Sequence, residues 1–152
     1  MMLGLGLLVW TLLPASAQDM RAAAVVNDEI ISMLDVTMRL RLAILSSGAE
    51  NTPEMRRRIL PQIMRRLIDE RLQAQEAKRL NIEVSEAQID KAIARIAGQN
   101  NMTPDEFLDN LRRNGVYPEA LRDQIRAQIT WQMLIARRLR PNVQISDDEV
   151  EE

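Results

Sequence analysis

Apolar residues recur at intervals of three or four along most of this chain, which is the spacing of one face of an α-helix. Ile89, Ile93 and Ile96 show the pattern most clearly, and Gly98 follows as a signal that the helix ends. The same spacing predicts buried stripes in three longer segments. These are Leu34, Met38, Leu42 and Leu45; Ile59, Ile63, Leu67 and Leu72; and Leu121, Ile125, Ile129, Met133, Ala136 and Leu139.

Start and stop signals divide this pattern into five helices. A start needs a side-chain oxygen that accepts from free backbone amides, or a proline in the first turn. The predicted starts are Ser32, Thr52, Ser85, Thr103 and Pro118. The predicted ends are Gly48, Asn81, Gly98 with Asn100-Asn101, Asn114-Gly115 and Pro141. Pro61 lies inside the second helix and is expected to kink it or to restart it near Leu60.

Before the first helix, the segment Ala22–Ile31 holds two β-prone runs around Asn27-Asp28, which predicts a small hairpin. The predicted fold is therefore mainly α, with five to six helices and a small N-terminal β-hairpin. The sixth helix is expected to start at the capping box Ser146–Glu149 and to be cut off within residues 146–152. Residues 18–145 form the predicted helical domain.

The first residues indicate export. Leu3–Leu13 is an uncharged apolar run, and Ala15-Ser16-Ala17 is a small-x-small cleavage pattern. Residues 1–17 are predicted to be a signal peptide that directs the chain to the periplasm and is cleaved after Ala17. No Lys or Arg precedes the run, so an uncleaved anchor or a lipid-facing tail stays open as an alternative.

Composition excludes several kinds of chemistry. The 152 residues contain no cysteine and no histidine, so thiol nucleophiles, thiolate metal sites and the commonest general base are absent. The adjacent carboxylates are typical of helix first turns and surfaces. We therefore expect no catalytic residue, no metal site and no cofactor. Aromatic residues make up 3% of the chain, so the core is expected to be aliphatic and filled by methionine.

Arginines concentrate in the spans Pro53–Leu80 and Arg112–Arg140, although the formal net charge of the whole chain is −2. One interpretation is a basic groove for an acidic or nucleic-acid partner. The other, which we favour, is solvated helix faces that carry ion pairs. Because the chain is predicted to be exported, we expect no nucleic acid partner.

Methionine and aromatic side chains are the candidates for a binding groove. An unbranched thioether repacks around varied apolar ligands, and aromatic residues often anchor interfaces. The candidate binding residues are Met38, Met64, Met102, Tyr117, Trp131 and Met133. The alternative is that the methionines fill the core and that both aromatic residues are buried packing residues.

An ordered set of segments resembles the N-terminal region of the SurA-like periplasmic chaperones. The set comprises Ala24–Asp35, Ile63–Glu70, Val84–Ile93, Gln99–Thr103 and Leu121–Arg126. Val143–Val150 is similar to the family's lead into its first parvulin domain.

The resemblance implies a chaperone that holds unfolded outer-membrane β-barrel proteins and aromatic-rich peptides, without ATP, and delivers the barrel proteins for assembly. It also implies that prolyl isomerase activity belongs to parvulin domains beyond Glu152. The family's N-terminal module is completed by a C-terminal segment, and its absence would leave apolar surface open to self-association. Two alternatives stay open: the N-terminal part of a parvulin-type isomerase, and a helical envelope adaptor.

Overall fold

Five helices follow a short antiparallel hairpin in the computed structural model, which describes residues 21–139. The elements are β1 (Ala22–Val26), β2 (Glu29–Ser32), α1 (Met33–Ser47), α2 (Pro53–Arg79), α3 (Glu86–Gln99), α4 (Pro104–Arg113) and α5 (Pro118–Leu139). The mainly α prediction with an N-terminal hairpin is confirmed. The predicted signal peptide, the stop at Pro141 and the start of a sixth helix lie outside the described residues.

The hairpin turns at the predicted dipeptide. Val26 pairs with Glu29 and Val25 with Ile30, and Asn27 adopts a left-handed φ of 54° between the strands. Asparagine tolerates this conformation better than most residues. The pairing buries Val26 and Ile31 on the inner face of the hairpin.

The predicted helix starts are confirmed at four positions. Ser32, Thr52, Ser85 and Thr103 each accept a hydrogen bond from the backbone amide three residues later. Such caps satisfy amides that have no partner inside the helix. The α2 helix continues without a break across Pro61, so the restart near Leu60 does not occur.

Two apolar cores meet at α1. The first, here called the helical core, joins α1, α3, α4 and α5 and comprises Leu42, Ile89, Ile93, Leu111, Val116, Leu121 and Ile125. The second, the hairpin core, joins the hairpin, α1 and α2 and comprises Val26, Ile31, Val36, Leu40, Ile63 and Leu67. Because α1 serves both cores, its buried surface is wider than the one predicted stripe, which omitted Val36 and Leu40.

Two further stripe predictions are wrong in part. Leu72 on α2 is 46% exposed, and on α5 the buried residues of the C-terminal half are Thr130 and Leu134 rather than Met133 and Ala136. The cause is that α5 packs against α3 and α4 as well as against α1 and α2. A helix that packs against neighbours on two sides buries more than one stripe.

Ion pairs fix α5 against α3. Arg122 donates to Glu86 at 2.6 Å and to Asp90 at 2.8 Å, and Arg126 donates to the same Glu86 at 2.8 Å. Both arginines belong to the second arginine-rich span of the sequence. Their pairing is of the kind expected for helix faces that carry ion pairs.

Candidate functional site

Two hollows lie between α1, α2 and α5. The first has a volume of about 340 Å³, and its lining includes Leu34, Met38, Leu67, Tyr117 and Thr130. The second has a volume of about 860 Å³, and its lining includes Leu42, Ile63, Gln73, Gln128 and Trp131. Each hollow therefore combines apolar side chains from the cores with polar side chains and one exposed aromatic residue.

An ion pair separates the two hollows. Arg39 on α1 donates from Nη1 to Oε1 of Glu70 on α2 at 2.6 Å, and both residues line both hollows. The Arg39 side chain is 6% exposed and that of Glu70 is 23% exposed. The Nε of Arg39 is buried and has no hydrogen-bond partner among residues 21–139. A buried charge normally has its hydrogen-bonding groups satisfied, so this donor is unusual.

The charges around the hollows nearly balance. Four carboxylates and three guanidinium groups line the first hollow, and two of each line the second. Neither hollow therefore attracts a strongly charged ligand. The apolar patches with a few polar groups fit a neutral chain that carries both apolar side chains and hydrogen-bonding groups.

The six candidate residues of the sequence analysis do not form one site. Met38 and Tyr117 meet in the first hollow, and Trp131 lines the second. The other three candidates are half-buried and line neither hollow: Met64 on α2, Met102 between α3 and α4, and Met133 on α5. Met64 packs against the hairpin core, which fits the alternative of a core methionine.

The two aromatic candidates are exposed rather than buried. Tyr117 is 54% and Trp131 is 48% exposed, so the interpretation as buried packing residues is wrong for both. Each stands at the side of a hollow, where an aromatic ring can contact a bound chain and solvent together.

Sequence reasoning missed Arg39, Glu70 and Thr130. Arg39 and Thr130 are the buried polar residues within the described part of the chain. The sequence alone does not mark Arg39 as buried. Arg41 is the same type of residue, stands two positions later on α1, and is exposed. Arg41 instead donates from Nη1 to the carbonyl oxygen of Gly115 at 2.8 Å.

Displaced carboxyl pKa values occur at ion pairs and at one helix cap. Hydrogen bonds from Arg79 lower the pKa of Glu76 to about 2, with Arg138 acting in the same direction. Arg122 and Arg126 lower the pKa of Glu86 through the pairs described above. These carboxylates therefore stay charged near neutral pH and take part in ion pairs at the surface.

Within residues 21–139, no cluster of carboxylates could hold a metal ion. No helix in that range combines the length and the apolar character that crossing a membrane requires. The hollows are the candidate site, because each is a concave surface that combines apolar side chains with hydrogen-bonding groups.

Comparison with known proteins gives a consistent result. The family model for the SurA N-terminal domain matches residues 20–140. The chain is 37% identical over 131 residues to "Chaperone SurA" of Bordetella pertussis, covering 85% of this chain and 25% of that relative.

Further relatives bear the same name. Identity is 34% over 139 residues with the protein of Aromatoleum aromaticum, covering 91% of this chain and 32% of the relative. The chain is 30% identical over 145 residues to the protein of Methylococcus capsulatus, covering 93% of this chain and 31% of the relative. The chain spans between a quarter and a third of the length of these relatives.

Proposed function

Because this chain belongs to the SurA N-terminal domain family, we propose that it is the client-binding module of a periplasmic chaperone. Its proposed clients are unfolded outer-membrane β-barrel proteins and aromatic-rich peptides. The relatives' name, "Chaperone SurA", supports this proposal. The apolar run and cleavage pattern of residues 1–17 support export to the periplasm and cleavage after Ala17.

The observation that carries the proposal is the pair of hollows between α1, α2 and α5. Strands of an unfolded barrel protein alternate apolar and polar side chains. The hollows offer matching surfaces, because apolar residues such as Met38 and Leu67 lie beside polar groups such as Thr130. Tyr117 and Trp131 add exposed rings that can stack on aromatic side chains of a client.

Such a site binds many sequences with modest affinity. Methionine adapts its shape to different ligands, and balanced charges do not select a strongly charged segment. Release then needs no chemical step, because a client in rapid exchange passes to a downstream acceptor. Exposed apolar residues such as Val25 and Ile30 also support the prediction that copies of the chain self-associate.

Fluorescence of Trp131 tests the proposal directly. Substitution of Trp10→Phe leaves Trp131 as the only tryptophan, and the client is an unfolded barrel protein whose own tryptophans are replaced by phenylalanine. We expect a saturable change in emission at micromolar client, competition by aromatic-rich peptides, and suppressed aggregation of the client by light scattering. Unchanged emission together with unchanged aggregation would contradict client binding.

A matched pair of variants locates the binding surface. Tyr117→Ala removes an exposed ring beside the first hollow and should weaken client binding by roughly tenfold, as truncation of an aromatic anchor does. Ile30→Ala removes an apolar side chain of similar exposure on the hairpin, 57% against 54%, and should leave affinity unchanged. Equal effects of the two variants would place binding elsewhere. Binding of one folded envelope protein and of no unfolded client would favour the adaptor alternative.

A further inference from the structure

No feature of the fold accounts for the unpaired Nε of Arg39. Arg39 is 5% exposed, and among the described residues its side chain makes one hydrogen bond, from Nη1 to Glu70. The Nε–H points to no acceptor within the described part of the chain. Burial of a charged donor without an acceptor is unfavourable, so an acceptor from a bound molecule would stabilise the arrangement.

The surroundings of Arg39 suit a chain-like ligand. On one side lies the first hollow, where Leu34, Met38 and Leu67 provide apolar contacts and Thr130 provides a nearly buried hydroxyl. The hollow extends to Tyr117, which is 54% exposed, so it reaches the protein surface. Met38 lines the same hollow as Arg39, and its flexible side chain can adapt its shape to a bound chain.

Charge decides what kind of acceptor fits. Glu70 already neutralises Arg39 at 2.6 Å, and four carboxylates against three guanidinium groups line the first hollow. A carboxylate or phosphate ligand would meet a slight excess of negative charge. A neutral carbonyl oxygen accepts from Nε–H without that repulsion.

We propose that Arg39 and Glu70 form a subsite for the main chain of an extended peptide in the first hollow. The Nε–H of Arg39 donates to a peptide carbonyl oxygen, and the Glu70 carboxylate accepts from a neighbouring peptide N–H. Every residue of a client except proline offers both groups, so the subsite holds the chain without selecting its side chains. This inference rests on the proposed function and names the part of a client that the buried pair contacts.

The decisive substitution is Arg39→Lys in the full chain. Lysine keeps the positive charge beside Glu70 but has no Nε–H in the guanidinium position. The control is Arg112→Lys, because Arg112 pairs with Asp109 on its own helix at 2.6 Å and lines neither hollow. The probe is a short peptide of alternating tyrosine and threonine, blocked at both ends so that it carries no charge, with affinity measured by calorimetry.

We expect Arg39→Lys to weaken peptide binding by about tenfold, the loss that matches one hydrogen bond from a charged donor. Arg112→Lys should change affinity by less than about twofold, because its ion pair is exposed and lies outside both hollows. In the unsubstituted protein, the Nε–H resonance of Arg39 should shift on peptide addition while that of Arg112 stays in place. This second measurement decides the matter if Arg39→Lys fails to fold.

The outcomes separate this inference from the proposed function. Peptide binding with equal affinities for both lysine variants, or with an unmoved Arg39 resonance, overturns the subsite and leaves the chaperone proposal standing. No peptide binding and no client binding by the unsubstituted protein overturns both. A shift of the Arg39 resonance with protein concentration alone would mean that a second copy occupies the hollow, which also overturns the peptide subsite.

Discussion

Replacement of the Arg39–Glu70 pair by two methionines should leave the protein about as stable as it is now. A buried ion pair loses the hydration of both charges, and its mutual attraction repays that loss only when all hydrogen-bonding groups are satisfied. Here the Nε of Arg39 is not satisfied. We therefore expect the double variant Arg39→Met/Glu70→Met to lie within about 1 kcal/mol of the original free energy of unfolding.

Each single substitution should lower the free energy of unfolding more than the double substitution does. Arg39→Met leaves Glu70 without its partner, and because that side chain keeps 23% exposure, we expect a loss of about 1–2 kcal/mol. Glu70→Met leaves the guanidinium charge at 6% exposure with no carboxylate, so a loss of about 3 kcal/mol is expected. The resulting coupling free energy of about 3–5 kcal/mol lies at or above the upper end for directly contacting residues.

Urea denaturation followed by circular dichroism measures all three variants. The control is Arg71→Met, whose partly exposed pair with Glu29 at 3.2 Å should contribute less than about 1 kcal/mol. Losses that simply add in the double variant would refute the reasoning, as would single variants within about 0.5 kcal/mol of the original protein. The double variant should also lose affinity for the blocked peptide, because it has neither the donor nor the acceptor.

Three further predictions test other parts of the structure. Gly98→Ala should raise the free energy of unfolding by about 0.5–1 kcal/mol, because a Cβ at this helical position meets open space. Gly115→Ala should lower it by at least about 1 kcal/mol, because φ is +70° there and the Cβ would lie 3.0 Å from an arginine Nη1. Thermal melts of the two variants test both predictions. The pKa of Glu76 is lowered to about 2 from an ordinary 4.5, so the contribution of its charged form to stability is complete above pH 4.5 and disappears as the pH falls toward 2. In Glu76→Gln, the melting temperature should therefore depend less on pH across that window. An unchanged dependence of the melting temperature on pH would contradict the assignment. Trp131→Ala should reduce suppression of client aggregation while leaving the melting temperature nearly unchanged, since the ring is 48% exposed.

Local signals in the sequence determine most of the fold. Caps such as Ser32 and Thr103 act on amides three residues away, and the Asn27 turn acts on its own backbone, so short segments suffice to predict them. The buried faces are harder to predict, because they depend on which helices meet. Val36 and Leu40 are buried since α1 lies between two cores, and no local pattern announces that position.

The candidate site was predictable only in part, for a related reason. Met38, Tyr117 and Trp131 are recognisable as residue types that bind apolar chains, and the structure places them at the hollows. Arg39 could not be distinguished from Arg41, because burial of one and exposure of the other depend on the crossing of α1 with α2. Long-range packing thus determines the polar part of the site, while residue type reveals only the apolar part.

The same crossing links stability with binding. The α1 helix contributes Leu42 to the helical core and Leu40 to the hairpin core, and the buried Arg39 of the same helix lines both hollows. Methionines at positions 39 and 70 together would pack there without an unpaired donor and at about the same stability, so the requirements of the fold alone do not explain an arginine at position 39. A residue that the fold does not need, placed where two hollows meet, is better explained by what enters the hollows. The binding of a client main chain is the role that this reasoning assigns to it.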